Sequence, residues 1–277
     1  MEKKNISIFF NNLRGLYVFN HLKKKKNYKI DVYLSKKNLN PLLLLKLKNF
    51  KIIKKLNKEF IKNFKKKKYF LNIAAGFPLK FPTELINAST KGTINLHAGK
   101  LPEYRGGSPL NWQILEGKNK IFISIIKMTK NFDCGPLYSQ KFFKLQSYED
   151  IKDIHKKVNN AYPLMTQKVI EDIIKNIKPK KQSKKNARYM KQRNDNDGKI
   201  NWEKMDANNV FNLVRAINKP YPGAFYIYNK KKIRIFKCKK IKFNQNLKPG
   251  EILYRDNKKV IKCKKNAIEI LKEKKSN

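Results

Sequence analysis

The chain has 277 residues, 40% of them hydrophobic and 12% aromatic, which suffices for a buried core and excludes a disordered polypeptide. Its formal net charge is +46, from 66 Lys and Arg against 20 Asp and Glu, and only seven of the basic residues are Arg. Because phosphate-recognising surfaces favour Arg and these lysines are spread along the whole chain, a compositional bias is the preferred explanation of the charge. A polyanionic partner such as RNA is the alternative explanation.

The three cysteines, Cys134, Cys238 and Cys263, have no CxxC pairing and no metal-ligand spacing. The N-terminal residues lack the pattern of a signal peptide, and no apolar run approaches the ~18–20 residues of a membrane-spanning helix. These features predict a cytoplasmic protein in a reducing compartment, with no metal and no membrane span.

The first 75 residues alternate between strand and helix patterns. We predict strands at 6–10, 28–34, 52–53 and 69–75, with helices at 13–22, 42–47 and 58–64 between them. Such alternation predicts a parallel sheet with helices on its faces. No GxGxxG follows the first strand, so the sequence does not indicate a dinucleotide site of the usual kind.

A loop with apolar side chains follows the strand predicted at 69–75. It contains Phe77, Pro78, Leu79 and Lys80, and it lies at the end of a strand where open α/β sheets bind ligands. Taken singly, each of these residues is explained as part of a hydrophobic connecting loop. As a set they are suited to form the wall of a pocket for a flat heteroaromatic ligand.

The stretch 92–109 concentrates residues that could do chemistry. Asn95 and His97 lie two apart on a short strand, so their side chains point to the same face. A downstream turn supplies a carboxylate, Asp133. An Asn, a His and an Asp near strand ends are suited to acyl transfer, although each alone is also explained by a turn, a buried histidine or a turn cap. Cys134 is a poor nucleophile candidate, because the adjacent carboxylate disfavours its thiolate.

The rest of the chain contains a second set of elements. We predict further strands at 93–96, 121–128 and 137–145, and helices at 109–116, 147–177 and 206–217. Ser147 and Asp150 have the spacing of a capping box, and Pro163 is expected to kink or split its helix. A small β-barrel is predicted by short strands at 224–228, 232–238, 250–254, 260–263 and 267–271. We therefore expect an α/β domain at 1–178, a lysine-rich linker at 179–194 and a β domain at 195–277.

Three motifs of the first domain occur together in one known family. Asn95-Leu96-His97, then LPEYRG at 101–106, then Asp133-Cys134-Gly135 resemble the N-x-H, L-P-x-Y-R-G and D-x-G motifs of the 10-formyltetrahydrofolate-dependent formyltransferases. DGKINW at 197–202 and VRAINKPYPGAF at 214–225 also resemble the second domain of those enzymes. The resemblance covers nearly the whole chain. It implies a Rossmann-like formyltransferase domain with a parallel sheet, followed by a small open, OB-like β-barrel.

The resemblance also implies a reaction, in which a neutral amine attacks the formyl group of 10-formyltetrahydrofolate through a tetrahedral oxyanion. Asn95 would donate to the oxyanion, His97 would stabilise the same oxygen or carry the proton of the amine, and Asp133 would orient and charge-balance His97. The residues implied for the folate are Phe77, Pro78, Leu79, Lys80 and Asp133, and those implied for the acceptor are Tyr104, Arg105 and Gly106. No metal is implied.

The identity of the amine rests on finer sequence differences. Family members that act on initiator tRNA carry a Pro/Gly/basic insertion after the second strand, and residues 35–42 (SKKNLNPL) lack it. Residues 109–112 and the PYPGAF turn resemble the amino-sugar enzymes more closely, although GKLP at 99–102 departs from the usual SLLP. We therefore predict a nucleotide-linked amino sugar as acceptor, with initiator Met-tRNA as the alternative. A folate- or RNA-binding protein without catalysis is the alternative of a different class, and the sequence leaves open a homodimer.

Overall fold

The computed structural model describes residues 3–275, which form two compact units. The first unit comprises the chain up to residue 106 with residues 122–142 and 156–189. The second comprises residues 107–121 and 143–155 together with the chain from residue 190 onward. The domain limits predicted at 178 and 195 stay a prediction.

The first unit is built on a seven-stranded sheet with the order β3-β2-β1-β4-β5-β7-β8. Its strands are β1 (Lys4–Phe9), β2 (Tyr28–Ser35), β3 (Lys51–Ile53), β4 (Leu71–Ala74), β5 (Thr93–His97), β7 (Lys120–Lys127) and β8 (Leu137–Lys144). Two further strands of two residues each are β6 (Arg105–Gly106) and β9 (Tyr189–Met190). The first five strands pair in parallel, but β7 runs antiparallel to β5, with Ser124 opposite His97. The predicted Rossmann-like parallel sheet is confirmed in β1 to β5. The antiparallel direction of β7 was not predicted, because a local apolar pattern reveals a strand but not its direction.

The α-helices are α1 (Leu13–Leu22), α2 (Pro41–Lys46), α3 (Lys58–Lys65), α4 (Thr83–Ile86), α5 (Pro109–Leu115), α6 (Ile151–Ile174) and α7 (Ala207–Ala216). The first three begin at asparagines, Asn12, Asn40 and Asn57, whose side chains each accept a backbone N–H of the first turn. These caps satisfy donors that an α-helix otherwise leaves without partners. The short α4 was not predicted from the sequence.

The start of α6 differs from the prediction. The side chain of Asp150 accepts the backbone N–H groups of Lys152 and Asp153, and the Asp153 carboxylate accepts the N–H of Asp150. The capping box therefore lies one turn later than the predicted pair of Ser147 and Asp150. The helix also continues through Pro163 without splitting, and the neighbouring Tyr162 is fully buried. Burial of that side chain offsets the hydrogen bond that proline removes.

Buried polar side chains tie the central strands of the first unit together. Ser7 on β1 donates to Asn72 on β4 at 2.8 Å, and the amide of Asn72 donates to Thr93 on β5 at 3.3 Å. All three side chains are buried. Because a buried polar group is costly without its partner, this chain of hydrogen bonds favours the observed register of β1, β4 and β5.

The second unit contains a five-stranded antiparallel sheet, which confirms the predicted small β domain. In the order β10-β11-β14-β13-β12, its strands are β10 (Ala224–Tyr228), β11 (Lys231–Ile241), β14 (Ala267–Lys275), β13 (Lys258–Lys262) and β12 (Ile252–Arg255). Helix α7 is capped by Asp206 and Asn209 in a capping box. Among residues 3–275, no helix has the length and apolarity needed to cross a membrane.

Candidate active site

Two loops of the first unit leave the sheet at the same edge. Strands β4 and β5 are parallel, with Ala74 opposite Asn95, so their C-terminal ends point in the same direction. The loop that begins at Gly76 and the loop that follows His97 therefore start side by side. This is the edge at which open α/β sheets bind ligands.

The carboxylate of Asp133 joins the predicted site residues. One oxygen, Oδ1, accepts a hydrogen bond from the Nδ2 amide of Asn95 at 3.3 Å. The other, Oδ2, accepts the backbone N–H of Gly106 at 2.9 Å and lies 3.4 Å from Nδ1 of His97. Asp133 and His97 are buried, and Asn95 is half-buried. The structure thus brings together three side chains that lie up to 38 residues apart in the sequence.

The two nitrogens of His97 have different partners. Nε2 lies 2.5 Å from the backbone carbonyl of Tyr104, which has no proton to donate, so Nε2 carries the hydrogen of this bond. In the neutral ring, Nδ1 is then the nitrogen with a free electron pair. It faces the Asp133 carboxylate, which stabilises the ring once Nδ1 is protonated. The site can therefore take up a proton at a defined atom.

Asn95 is suited to hold a developing negative charge. Its Nδ2 group has two hydrogens, and the residues that the structure describes take only one of them, through Asp133. The second is available to a bound ligand on the face that Asn95 shares with His97. An amide donor in this position resembles the oxyanion donors of acyl-transfer enzymes.

The backbone around Asp133 explains the spacing of its motif. Asp133 has φ of 52°, in the left-handed region that Asp and Asn tolerate better than most side chains. Two residues later, a Cβ atom added to Gly135 would lie 1.6 Å from the carbonyl oxygen of Lys127. Only glycine fits there, and the close approach of the two backbones directs the Asp133 side chain toward Asn95 and His97.

The LPEYRG segment supports the site through its main chain. Short strand β6 (Arg105–Gly106) supplies the N–H that binds Asp133, and the preceding carbonyl of Tyr104 binds His97. The ring of Tyr104 is buried. A direct role of Tyr104, Arg105 and Gly106 in acceptor binding stays a prediction.

One residue of the site, Gln182, was not predicted from the sequence. Its side-chain amide donates to the backbone carbonyls of Asp133 at 2.9 Å and Gly135 at 2.7 Å, and its oxygen accepts from Nε and Nη2 of Arg105 at 3.2 and 2.9 Å. The Arg105 guanidinium also lies over the ring of Tyr189, 5.7 Å from its centroid. Gln182 lies in a lysine-rich stretch without periodicity that predicts only a linker, so tertiary structure alone reveals its role.

The loop that is predicted to bind folate packs against the aromatic core of the first unit. The ring of Phe77 packs edge-on against Phe9 and Phe81, with centroids 5.4 and 5.8 Å apart. Pro78 and Leu79 are half-buried, and Lys80 is exposed. The loop is thus braced by the aromatic core and begins at the sheet edge that carries His97, but its role in binding folate stays a prediction.

One cleft of the first unit lies away from the predicted site residues. A cleft of about 500 Å³ is lined by Gly92 and Lys127 among others and lies toward the opposite edge of the sheet, where β5 begins. It contains none of the predicted site residues. Within residues 3–275, no group of three or more His, Cys, Asp or Glu side chains is arranged to hold a metal ion.

Comparison with known families agrees with this geometry. Residues 19–170 match the family profile described as formyl transferase, and residues 193–277 match the profile of the formyl transferase C-terminal domain. The chain belongs to the formyl transferase family. Formyl transfer is the reaction after which that family is named, and the predicted resemblance is confirmed.

This chain spans different shares of the length of its individual relatives. It is 36% identical over 255 residues to the bifunctional polymyxin resistance protein ArnA of Wigglesworthia glossinidia brevipalpis, covering 91% of this chain but only 36% of ArnA. It is 30% identical to the methionyl-tRNA formyltransferase of Caldanaerobacter subterraneus subsp. tengcongensis, covering 78% of this chain and 70% of that enzyme. The fold is shared with WlaRD, a sugar 3N-formyl transferase crystallised in the presence of dTDP and 5-N-formyl-tetrahydrofolate. That comparison gives a TM-score of 0.71 at 19% identity over 100% of this chain and 99% of WlaRD.

Proposed function

We propose that this formyltransferase transfers the formyl group of 10-formyltetrahydrofolate to the primary amine of a nucleotide-linked amino sugar. The observation that carries the proposal is the Asp133 carboxylate, which contacts Asn95, His97 and the N–H of Gly106 at one sheet edge. The family supports formyl transfer, and the resemblance of the site motifs supports the donor. Asn95, His97 and Asp133 are proposed as the catalytic residues.

Each side chain has a step that its contacts support. The amine nitrogen attacks the formyl carbon, and the electron pair of the carbonyl moves onto its oxygen, which the free N–H of Asn95 stabilises. Nδ1 of His97 takes the proton that the amine loses, and Asp133 stabilises the resulting imidazolium. The tetrahedral intermediate then collapses, and the C–N bond to tetrahydrofolate breaks. His97 returns its proton to the departing nitrogen, so the step needs no further reactant.

Burial of the site favours this chemistry. With His97 and Asp133 shielded from water, the attraction between the imidazolium and the carboxylate is less screened than at the surface. Three fixed contacts orient the carboxylate before any ligand binds: the Asn95 amide, the Gly106 N–H and the turn held by Gln182. Such preorganised groups need little rearrangement in the transition state.

The choice of a sugar amine rests on the connection between β2 and α2. Strand β2 ends at Ser35 and α2 begins at Pro41, so residues 36–40 alone link them. This short connection has no room for the Pro/Gly/basic insertion that the resemblance attributes to enzymes of initiator tRNA. Two observations support the alternative acceptor, initiator Met-tRNA: the methionyl-tRNA formyltransferase relative and the net charge of +46.

The deciding experiment offers two acceptors to the purified protein in parallel. Release of tetrahydrofolate from 10-formyltetrahydrofolate is followed with a panel of nucleotide-linked amino sugars and with charged initiator tRNA. We expect turnover with at least one sugar and none with the tRNA. Turnover on the tRNA alone would reassign the acceptor, and no turnover with either would contradict the proposal.

Variants test the residue assignments in the same assay. Asn95→Ala is expected to lower the rate by about 10²–10³ through loss of an oxyanion donor, and His97→Ala by about 10²–10⁴ through loss of acid–base catalysis. Both should still bind tetrahydrofolate. Phe77→Ala should weaken folate binding more than acceptor binding. Unchanged rates in the first two variants, or the reverse order of binding losses in the third, would exclude these roles.

A further inference from the structure

An apolar patch on the first unit is largely open to solvent. It consists of Leu42, Leu44 and Leu45 on α2 and Ile52 on the edge strand β3, which are 48%, 43%, 83% and 49% exposed. Leu43, in the same helix, is fully buried and anchors it. The three outward leucines keep 43–83% of their surface exposed, and exposed apolar patches of this kind mark interaction sites.

Exposed lysines surround this leucine patch, and one of them, Lys51, lies over the ring of Tyr33, 5.5 Å from its centroid. In the window 36–55 every lysine is exposed and no Asp or Glu occurs, and the lysines are Lys36, Lys37, Lys46, Lys48, Lys51, Lys54 and Lys55. Within the described part of the chain, none of them forms an ion pair. Lysines outside ion pairs also occur in other parts of the described chain, so the distinguishing feature of this surface is the exposed leucines among its lysines.

We propose that the leucine patch binds the surface of an anionic lipid bilayer. Leucine side chains of a short surface helix can enter the boundary between headgroups and acyl chains, while the flanking lysines contact lipid phosphates. Long lysine side chains suit this role, since their methylene stems lie along apolar material while the ammonium stays in water. The protein would lie on the membrane through α2 and β3 without spanning it.

The chemistry of the patch favours lipid over other occupants. Single-stranded RNA is bound by aromatic rings that stack on bases, and the exposed apolar residues here are aliphatic. A second copy of the chain would bring seven lysines against seven lysines, which repel one another. A bilayer with anionic headgroups complements both the charge and the apolar surface. The inference goes beyond the proposed function and holds for any acceptor.

Vesicle co-sedimentation of the full chain tests the proposal without an activity assay. The probe is a set of phosphatidylcholine vesicles with or without about 30% phosphatidylglycerol, at low and high salt. We expect binding to the anionic vesicles only, and weaker binding at high salt. Each lysine near the surface contributes about fivefold to the partition coefficient, so K46Q/K48Q should lower it about 25-fold.

A charge-neutral variant separates the leucines from the general attraction of a basic protein. L44S/L45S leaves the net charge at its present value and should lower partitioning by at least about tenfold. The matched control, L164S/L271S, replaces two exposed leucines elsewhere and should bind as the wild type. Circular dichroism establishes that each variant is folded, and K46Q/K48Q provides an independent test if L44S/L45S is not.

Four outcomes would overturn the proposal. If L44S/L45S and the wild type bind vesicles equally, net charge alone explains the interaction and the leucines have no role. Equal binding to anionic and neutral vesicles would remove the role of the lysines. A concentration-dependent dimer that L44S/L45S abolishes, or RNA binding that it weakens without any vesicle binding, would assign the patch to another partner.

Discussion

Asp133 Oδ2 lies 3.4 Å from Nδ1 of His97, while the other ring nitrogen is held by the carbonyl of Tyr104. This arrangement predicts that the charge of Asp133, and not only its shape, matters for the rate. Asp133→Asn keeps the left-handed backbone that Asn tolerates, but it removes the charge that stabilises protonated His97. We expect kcat for tetrahydrofolate release to fall by about 10²–10⁴. The variant keeps only one of the two oxygens that accept from Asn95 and Gly106, so the unfolding midpoint should also fall. A rate equal to that of the wild type would exclude charge balance as the role of Asp133.

Gln182 is predicted to act as a positioning residue for the Asp133 turn. Gln182→Ala removes two donors to backbone carbonyls and the acceptor of Arg105, at a cost of about 1–3 kcal/mol in the free energy of unfolding. Because the turn carries Asp133, kcat should fall more than KM rises. Gln182→Glu is the matched control, since it keeps an acceptor for Arg105 while losing the donors. A loss of stability with an unchanged kcat in both variants would limit Gln182 to a structural role.

We predict that a single methyl group added at Gly135 lowers the free energy of unfolding strongly. In Gly135→Ala the new Cβ would meet the carbonyl oxygen of Lys127 at 1.6 Å, so the backbone must move, at a cost of about 3 kcal/mol or more. Gly92→Ala is a suitable control: its φ of +77° is strained, but the nearest atom is the flexible end of Lys127 at 3.5 Å. That variant should lose only about 1–2 kcal/mol. Urea denaturation measures both, and equal losses would contradict the steric explanation.

The lowered pKa of Asp195 predicts how the free energy of unfolding changes at acidic pH. Hydrogen bonds from Arg234, and next from Lys232, lower the pKa of Asp195 to about 2, against the ordinary value of 3.8. A depressed pKa in the folded state stabilises the protein above the unfolded value, and this contribution is lost as the pH falls from about 4 toward 2. The side chain is 38% exposed, so solvent screening keeps the effect small.

Comparison of the wild type with Asp195→Asn isolates that contribution. The difference between their urea unfolding midpoints should be constant from pH 7 to about 5 and should vanish near pH 2. Other carboxylates titrate equally in both proteins and cancel. A difference that persists unchanged at pH 2 would show that the Asp195 charge contributes nothing to stability.

The local sequence determined most elements of this protein. Asparagine caps mark the starts of α1, α2 and α3 within one residue of the prediction, since a short polar side chain satisfies the free N–H groups wherever the tertiary fold places the helix. Alternation of apolar residues in β2 and largely apolar runs such as β4 and β7 located strands of the large sheet, whereas the short strand β6 was not predicted. The N-x-H, L-P-x-Y-R-G and D-x-G motifs identified the family, because that family carries the same residue types in the same order and spacing.

Contacts between residues distant in the sequence were decided only by the tertiary structure. The direction of β7, the link from Gln182 to Arg105 and the Asp133 turn, and the passage of α6 through Pro163 depend on packing partners that no local pattern reveals. Residues 42–45 are four identical leucines, yet Leu43 alone is buried. Which leucine enters the core depends on where α2 lies against the first unit, and a run of equal side chains carries no signal of that choice.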